Sequence, residues 1–149
     1  MRFPVDQVYG PFRGKFDYIV IICPTFAHNR TYYQIGKNDP RMHVIMCEQH
    51  DVEKGLKLVR WLFEGANTLI ILDYCGASKD VKGHTGELVN LAFSAWHMSI
   101  SVCVLTQKMT SITASFRENV AVIVLFYTPL AKTTKAIFDD YAGELSQDE

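Results

Sequence analysis

Apolar residues in this chain fall into short unbroken runs separated by polar, glycine-marked stretches. The clearest run is TLIILDYC at 68–75, in which Leu69, Ile70, Ile71 and Leu72 lead into Asp73. A run of this length without polar alternation marks a strand buried on both faces, the pattern of a parallel sheet under helices. Further strands are predicted at 16–22 (FDYIVII), 43–47 (HVIMC), 100–105 (ISVCVL) and 120–126 (VAVIVLF). Between them the spacing turns helical. Residues 51–65 place Val52, Leu56, Val59 and Phe63 on one face, with Asp51 as cap and Gly65 as stop. Gly55 weakens that helix by about 1 kcal/mol relative to alanine. Thr85 is a predicted N-cap for a helix reaching about His97, with Leu88, Leu91, Ala92 and Ala95 as its apolar stripe. Residues 131–141 form an amphipathic closing helix in which Ile137 and Tyr141 stand four apart. Residues 28–40 read as a loop or short broken helix, 76–84 as a polar loop, and 110–119 as a polar connection carrying one arginine. The alternation predicts one α/β domain over residues 1–149, an open, mostly parallel sheet with helices on both faces. Residues 1–15 read as linker-like and 146–149 as a frayed tail.

Composition narrows this picture. The 149 residues are 48% hydrophobic and 21% charged, an ordinary globular balance rather than a disordered one. The net charge of −1 supplies no global basic field, so any nucleic-acid contact must come from a local patch or an oligomer. Cys23, Cys47, Cys75 and Cys103 are widely spaced without a CxxC pair, which argues against a zinc site or disulfide framework and for a reducing compartment. The opening MRFPVDQVYG lacks the apolar core of a signal peptide, and no run approaches the ~20 residues that span a bilayer. A soluble, intracellular protein without a membrane partner is expected.

Three residues stand out as candidates for chemistry. Asp73 ends its strand at the carboxyl edge of the sheet, where open α/β folds bind ligands. It either opens a turn or occupies the place of a Walker B aspartate, which holds magnesium over nucleotide phosphates. Gln107 directly follows the predicted strand ISVCVLT and either caps a surface loop or orients an attacking water. Arg117, in SFREN, either pairs locally with Glu118 or serves as an exposed finger on a neighbouring subunit's nucleotide. Lys79 and Lys82 could touch a nucleic-acid backbone, although such a pair is more often a solvated loop. His84 and His97 lack partners at metal-ligand spacing, and adjacent Asp139 and Asp140 point different ways on a helix. Trp61 and Trp96 read as core or interface residues. GPFRGKF resembles a P-loop only superficially: three residues separate its glycines, Phe16 follows Lys15, and a strand rather than a helix comes next.

Taken together, FDYIVIICPTF, TLIILDYC with ASKDVK, ELVNLAFSAWHMSISVCVLTQ, TSITASFRENVAVIVLFYTP and IFDDYAGEL resemble the poxvirus-type DNA-packaging ATPases of the HerA/FtsK branch of P-loop NTPases, including relatives in mobile elements. The resemblance covers roughly residues 10–145. It implies that Asp73 is the Walker B metal-holding aspartate, Gln107 a polar sensor on the neighbouring strand and Arg117 an intersubunit arginine. It further implies magnesium and ATP as cofactors, DNA as a partner, and ring oligomers of this or related ATPases.

Two departures qualify that implication. No Walker A strand, loop and helix precede residue 10, so the N–H cradle and lysine that hold the phosphates are absent from these residues and no cofactor-binding residue is assigned. Tyr74 stands where a second acid normally follows the Walker B aspartate, and a tyrosine with pKa near 10 is a poor base at pH 7. The expected protein is a degenerate packaging-ATPase-like domain with weak or no hydrolysis alone. The alternatives are a fragment of an active DNA-translocating ATPase and a non-catalytic module that pairs with related ATPase subunits. In the family the P-loop strand lies between the strands at 100–105 and 120–126. Without it those two strands are expected to pair directly or to receive residues 3–9 imperfectly between them, unless the chain is a truncated gene product.

Overall fold

β1 (Tyr18–Ile22), β2 (Met42–Ile45), β3 (Thr68–Asp73) and β4 (Ile100–Leu105) form one sheet in the order β2-β1-β3-β4. All three pairings are parallel. The computed structural model describes residues 14–25, 41–73, 75, 86–126 and 131–141. The helices are α1 (Val52–Leu62), α2 (Glu87–Ser94), α3 (Ala114–Arg117) and α4 (Ala131–Tyr141).

Strand parity divides the apolar residues into two layers, since successive side chains point to opposite faces. Val20, Ile22, Ile70, Leu72 and Ile100 join Val52, Leu56 and Val59 of α1, Leu88 and Leu91 of α2, and Phe116 of α3 in the main core. Ile19, Ile21, Cys23, Met42 and Ile71 form a smaller cluster on the opposite face. Thus α1, α2 and α3 all contribute to one face, and among the described residues no helix contributes to the second cluster. The expected stripes of α1 and α2 are the ones buried, with Phe63, Ala92 and Ala95 packing partly against them.

Local boundaries differ from the sequence pattern for identifiable reasons. β1 begins at Tyr18 rather than at residue 16, because the segment before it is bound to the turn preceding β3. There the Asp17 and Tyr18 N–H groups donate to the Asn67 carbonyl, and the Asn67 amide donates to the Lys15 carbonyl. β2 stops at Ile45, two residues before the predicted Cys47. Asp51 precedes α1 without a side-chain capping bond; its carboxylate instead pairs with Lys54 at 2.6 Å and His50 at 3.3 Å. α2 ends at Ser94 and tightens into a 3-10 turn, Ala95–Met98, closed by Ser99 in the left-handed region at φ 57°. Thr85 lies outside the described residues. Trp96 (89% exposed) on that turn and Trp61 (74% exposed) on α1 are not core residues, because each falls off the buried stripe of its element.

The largest departure is at residues 120–126, predicted as a strand. They belong to no strand of the sheet, and Val122, Ile123, Val124, Leu125 and Phe126 are exposed. β4 therefore has β3 on one side and no strand on the other among the described residues. The direct pairing of 100–105 with 120–126 does not occur; residues 3–9 lie outside the described residues.

One polar pair clamps the helical layer. Arg60 Nη1 of α1 donates to Glu87 Oε1 of α2 at 2.7 Å, and the Glu87 side chain is 4% exposed. Asn90 Nδ2 donates to the other carboxylate oxygen at 3.5 Å. The bond to Glu87 raises the Arg60 pKa further above its ordinary value, so the guanidinium stays charged. Replacing Arg60 with alanine leaves a buried carboxylate short of its main donor and should cost about 1–2 kcal/mol, toward the lower part of the range because Arg60 itself is partly solvated. Glu87→Gln in that background should recover part of the loss in denaturant titrations.

Gly55 permits a stabilising change. A Cβ there would sit 3.7 Å from Ile22 Cδ1 and 3.9 Å from Ile45 Cγ2, ordinary contact distances. Gly55→Ala should therefore raise the unfolding free energy by about 1 kcal/mol through helix propensity. A decrease in the denaturation midpoint would show that α1 is packed closer to the sheet than described.

Candidate functional site

In this sheet the chain leaves β1 toward β2 on one side and runs through β3 and β4 on the other. In open α/β sheets ligands bind where the strand order reverses in this way, beyond the carboxyl ends of the two strands at the switch point, which here are β1 and β3. Those ends carry Cys23-Pro24-Thr25 and Asp73. Asp73 is still within the ladder, registered against Leu105 of β4, while Leu72 pairs with Ile22 of β1. Its parity is that of Leu69 and Ile71, which places it on the face of the smaller cluster, and it is 7% exposed. A carboxylate this enclosed belongs to the fabric of the strand end rather than to a freely solvated turn.

Three of the four cysteines gather near the same edge. Cys23 is fully buried and its Sγ lies 3.4 Å from the Thr25 hydroxyl. The Cys75 thiol is also buried, donating toward the carbonyls of Asp73 at 3.4 Å and Ile22 at 3.6 Å. Burial pushes its pKa up to about 12, and the neighbouring Cys47, Cys23 and Asp73 act in the same direction. At neutral pH it is a protonated packing group and no nucleophile. All four cysteines are free, and only Cys103 has an exposed side chain.

Gln107 follows β4 by two residues, on the strand that pairs with Asp73's own, so both candidates stand at one edge on adjacent strands about 4.8 Å apart. It is exposed at the tip of a turn braced by hydroxyls. Thr106 Oγ1 lies 2.7 Å from Ser111 Oγ, accepts from the Lys108 N–H at 3.2 Å, and Ser111 donates to the Lys108 carbonyl at 2.6 Å. This brace, which the residue pattern alone did not reveal, fixes the turn and leaves the glutamine at its surface. Arg117 belongs elsewhere. It ends α3, whose Phe116 is in the main core, and it is half-buried rather than exposed as expected of a finger. Burial of Phe116 draws the whole turn against the domain.

The remaining candidates separate. Gly14 adopts φ 72°, and Gly14-Lys15 form a turn that leads into β1 and not into a helix. His97 and Asp139 are exposed. Tyr74, Lys79, Lys82 and His84 lie outside the described residues. A shallow open cleft lies at the opposite, amino edge of the sheet, lined by Phe16, Asp17, Tyr18, Arg41 and Ala66. Beside it Tyr18, His43 and Phe63 stack at tilted angles with centroids 4.8–5.7 Å apart.

Magnesium takes one or two protein carboxylates and completes its octahedron with water and substrate phosphates. Asp73 fits that minor role, but among the described residues no group of three acidic, histidine or cysteine side chains could hold a metal. Nor do the described residues supply a phosphate cradle. The donor set does not amount to a metal site by itself, and no catalytic step is assigned through one.

No family model, curated protein or solved structure significantly matches this chain. The fold thus defines the class, an open parallel α/β domain, and no helix among the described residues is long and apolar enough to cross a membrane.

The thiols give a direct check on this geometry. Native protein treated with iodoacetamide at pH 8 should be modified at Cys103 first and more slowly at Cys47, with Cys23 and Cys75 modified only on unfolding. Because the folded state raises the Cys75 pKa, the stability it contributes is complete below the free-thiol pKa near 9 and is lost as pH rises toward about 12. Cys75→Ala should flatten that alkaline decline in a pH-resolved unfolding series.

Proposed function

We propose that this chain is a packaging-ATPase-like P-loop NTPase domain, degenerate, with weak or no ATP hydrolysis of its own. The observation that carries the reading is Asp73, the last paired residue of β3, at the carboxyl edge beside the strand that leads to Gln107. The outer edge of β4, which has no neighbouring strand among the described residues, also supports it, since that is where the resemblance puts the P-loop strand. Asp73 is the residue on which magnesium dependence would rest, Gln107 the polar residue at the adjacent strand end, and Arg117 a candidate intersubunit cation that would first have to leave its half-buried position. Magnesium, ATP and DNA are the ligands the reading implies. Without a cradle, the phosphates lose most of their binding contacts.

A second reading, a non-catalytic module that pairs with related ATPase subunits, is favoured by a specific observation. The exposed apolar residues 122–126 and the β4 edge, unpaired among the described residues, are surfaces that a partner could cover. Co-purification with a full-length packaging ATPase tests it.

For the first reading, calorimetry with ATP and magnesium on the 149-residue chain should show weak binding that Asp73→Ala abolishes. Binding indifferent to both magnesium and Asp73 would remove Asp73 from the metal role. Tight capture by the chain alone would show that a phosphate cradle exists and end the degenerate reading.

A further inference from the structure

We infer that two copies of this chain complete each other's sheets by exchanging residues 120–126, each copy laying this segment along the partner's open β4 edge. The incompleteness is measurable on the main-core face. Val20 and Ile22 of β1 and Ile70 and Leu72 of β3 are all 0% exposed, whereas Val102 and Val104 of β4, at the same parity, are only half-buried. The layer thins where the sheet stops. Along that free edge every second residue of β4 presents an N–H and a C=O without a ladder partner among the described residues.

The same chain holds the matching element. Residues 120–126, VAVIVLF, are seven consecutive apolar residues with no charge and no proline. They belong to no strand or helix, and Val122 and Val124 are 75% and 70% exposed. Natural edges are protected by lysine, proline, bulges or coverage; the β4 sequence ISVCVL carries neither of the first two. An uncovered edge and an uncovered strand of this composition would associate without limit unless something caps both.

A second copy is the occupant that the inventory favours. Among the described residues each chain offers at β4 an outer edge of six residues and at 120–126 an unpaired segment of seven, so a two-fold exchange satisfies both and leaves only the shorter outer edge of β2, four residues long, as it was. That symmetry is closed, whereas one-way donation would run on into a filament. Residues 106–119 connect edge and segment, and their Ile112 and Phe116 are anchored in the main core, so the donated segment departs from a fixed point. The pairing depends on the open edge and not on the nucleotide reading, and it should form with or without ATP.

The test uses the full chain. Sedimentation velocity over a dilution series should show a dimer dissociating to monomer, and Val124→Lys should shift the equilibrium to monomer by at least tenfold while leaving the circular dichroism and unfolding midpoint of the monomer intact. Val124 is exposed in the monomer, so the lysine should not disturb its fold. Separately, Val122, Ile123, Val124 and Leu125 are replaced by cysteine in turn and oxidised with copper phenanthroline. At least one variant should cross-link to Cys103 between chains, and adding Cys103→Ser should abolish the bond. A wild-type chain monomeric at every concentration, a Cys103 cross-link within one chain, or open-ended oligomers each overturn the exchange. Loss of ATP binding with the dimer retained would fault the functional reading alone.

Discussion

The parallel ladder between β1 and β3 is the constraint on which the rest of the molecule depends. Five consecutive residue pairs, from Tyr18 with Thr68 to Ile22 with Leu72, fix two apolar strands side by side and satisfy backbone groups that burial would otherwise strand. Parallel strands cannot be joined by a tight turn, so each connection must cross over a face of the sheet. The two crossovers that carry α1 and α2 shape the main core, because both helices bring their apolar stripes to the same face. The Arg60–Glu87 bond then ties one helix to the other.

This ladder also sets where chemistry could occur. The strand ends at one edge bring Cys23, Asp73, Cys75 and the turn bearing Gln107 into one neighbourhood, although they are far apart in sequence. Burial divides their roles. Cys75 is locked as a neutral thiol, and Asp73 is an enclosed carboxylate on the opposite face from α1, α2 and α3, while Gln107 is the exposed member. The described residues provide no phosphate cradle at this edge. The same incompleteness appears at the sheet's border, where Val102 and Val104 remain half-buried and residues 120–126 lie unpaired.

Much of this was legible in the order of residues, and the reason is local. Runs such as Leu69–Leu72 have one low-energy fate, burial on both faces of a sheet, and the stripes of α1 and α2 repeat with the helical period. Composition and pattern were thus enough to specify the α/β class, four of the five predicted strands, the buried stripes and the place of Asp73 at a strand end. Residues 120–126 share that local pattern, and there tertiary structure decided otherwise. A strand needs a neighbour for its hydrogen bonds, and apolar character cannot provide one. In the same way only the assembled chain could bring Arg60 to Glu87 across 27 residues, tuck Arg117 against the domain behind Phe116, and turn Trp61 and Trp96 outward. Periodicity records what a segment prefers to bury; which other segment meets it depends on the strand order β2-β1-β3-β4, a property of the whole chain.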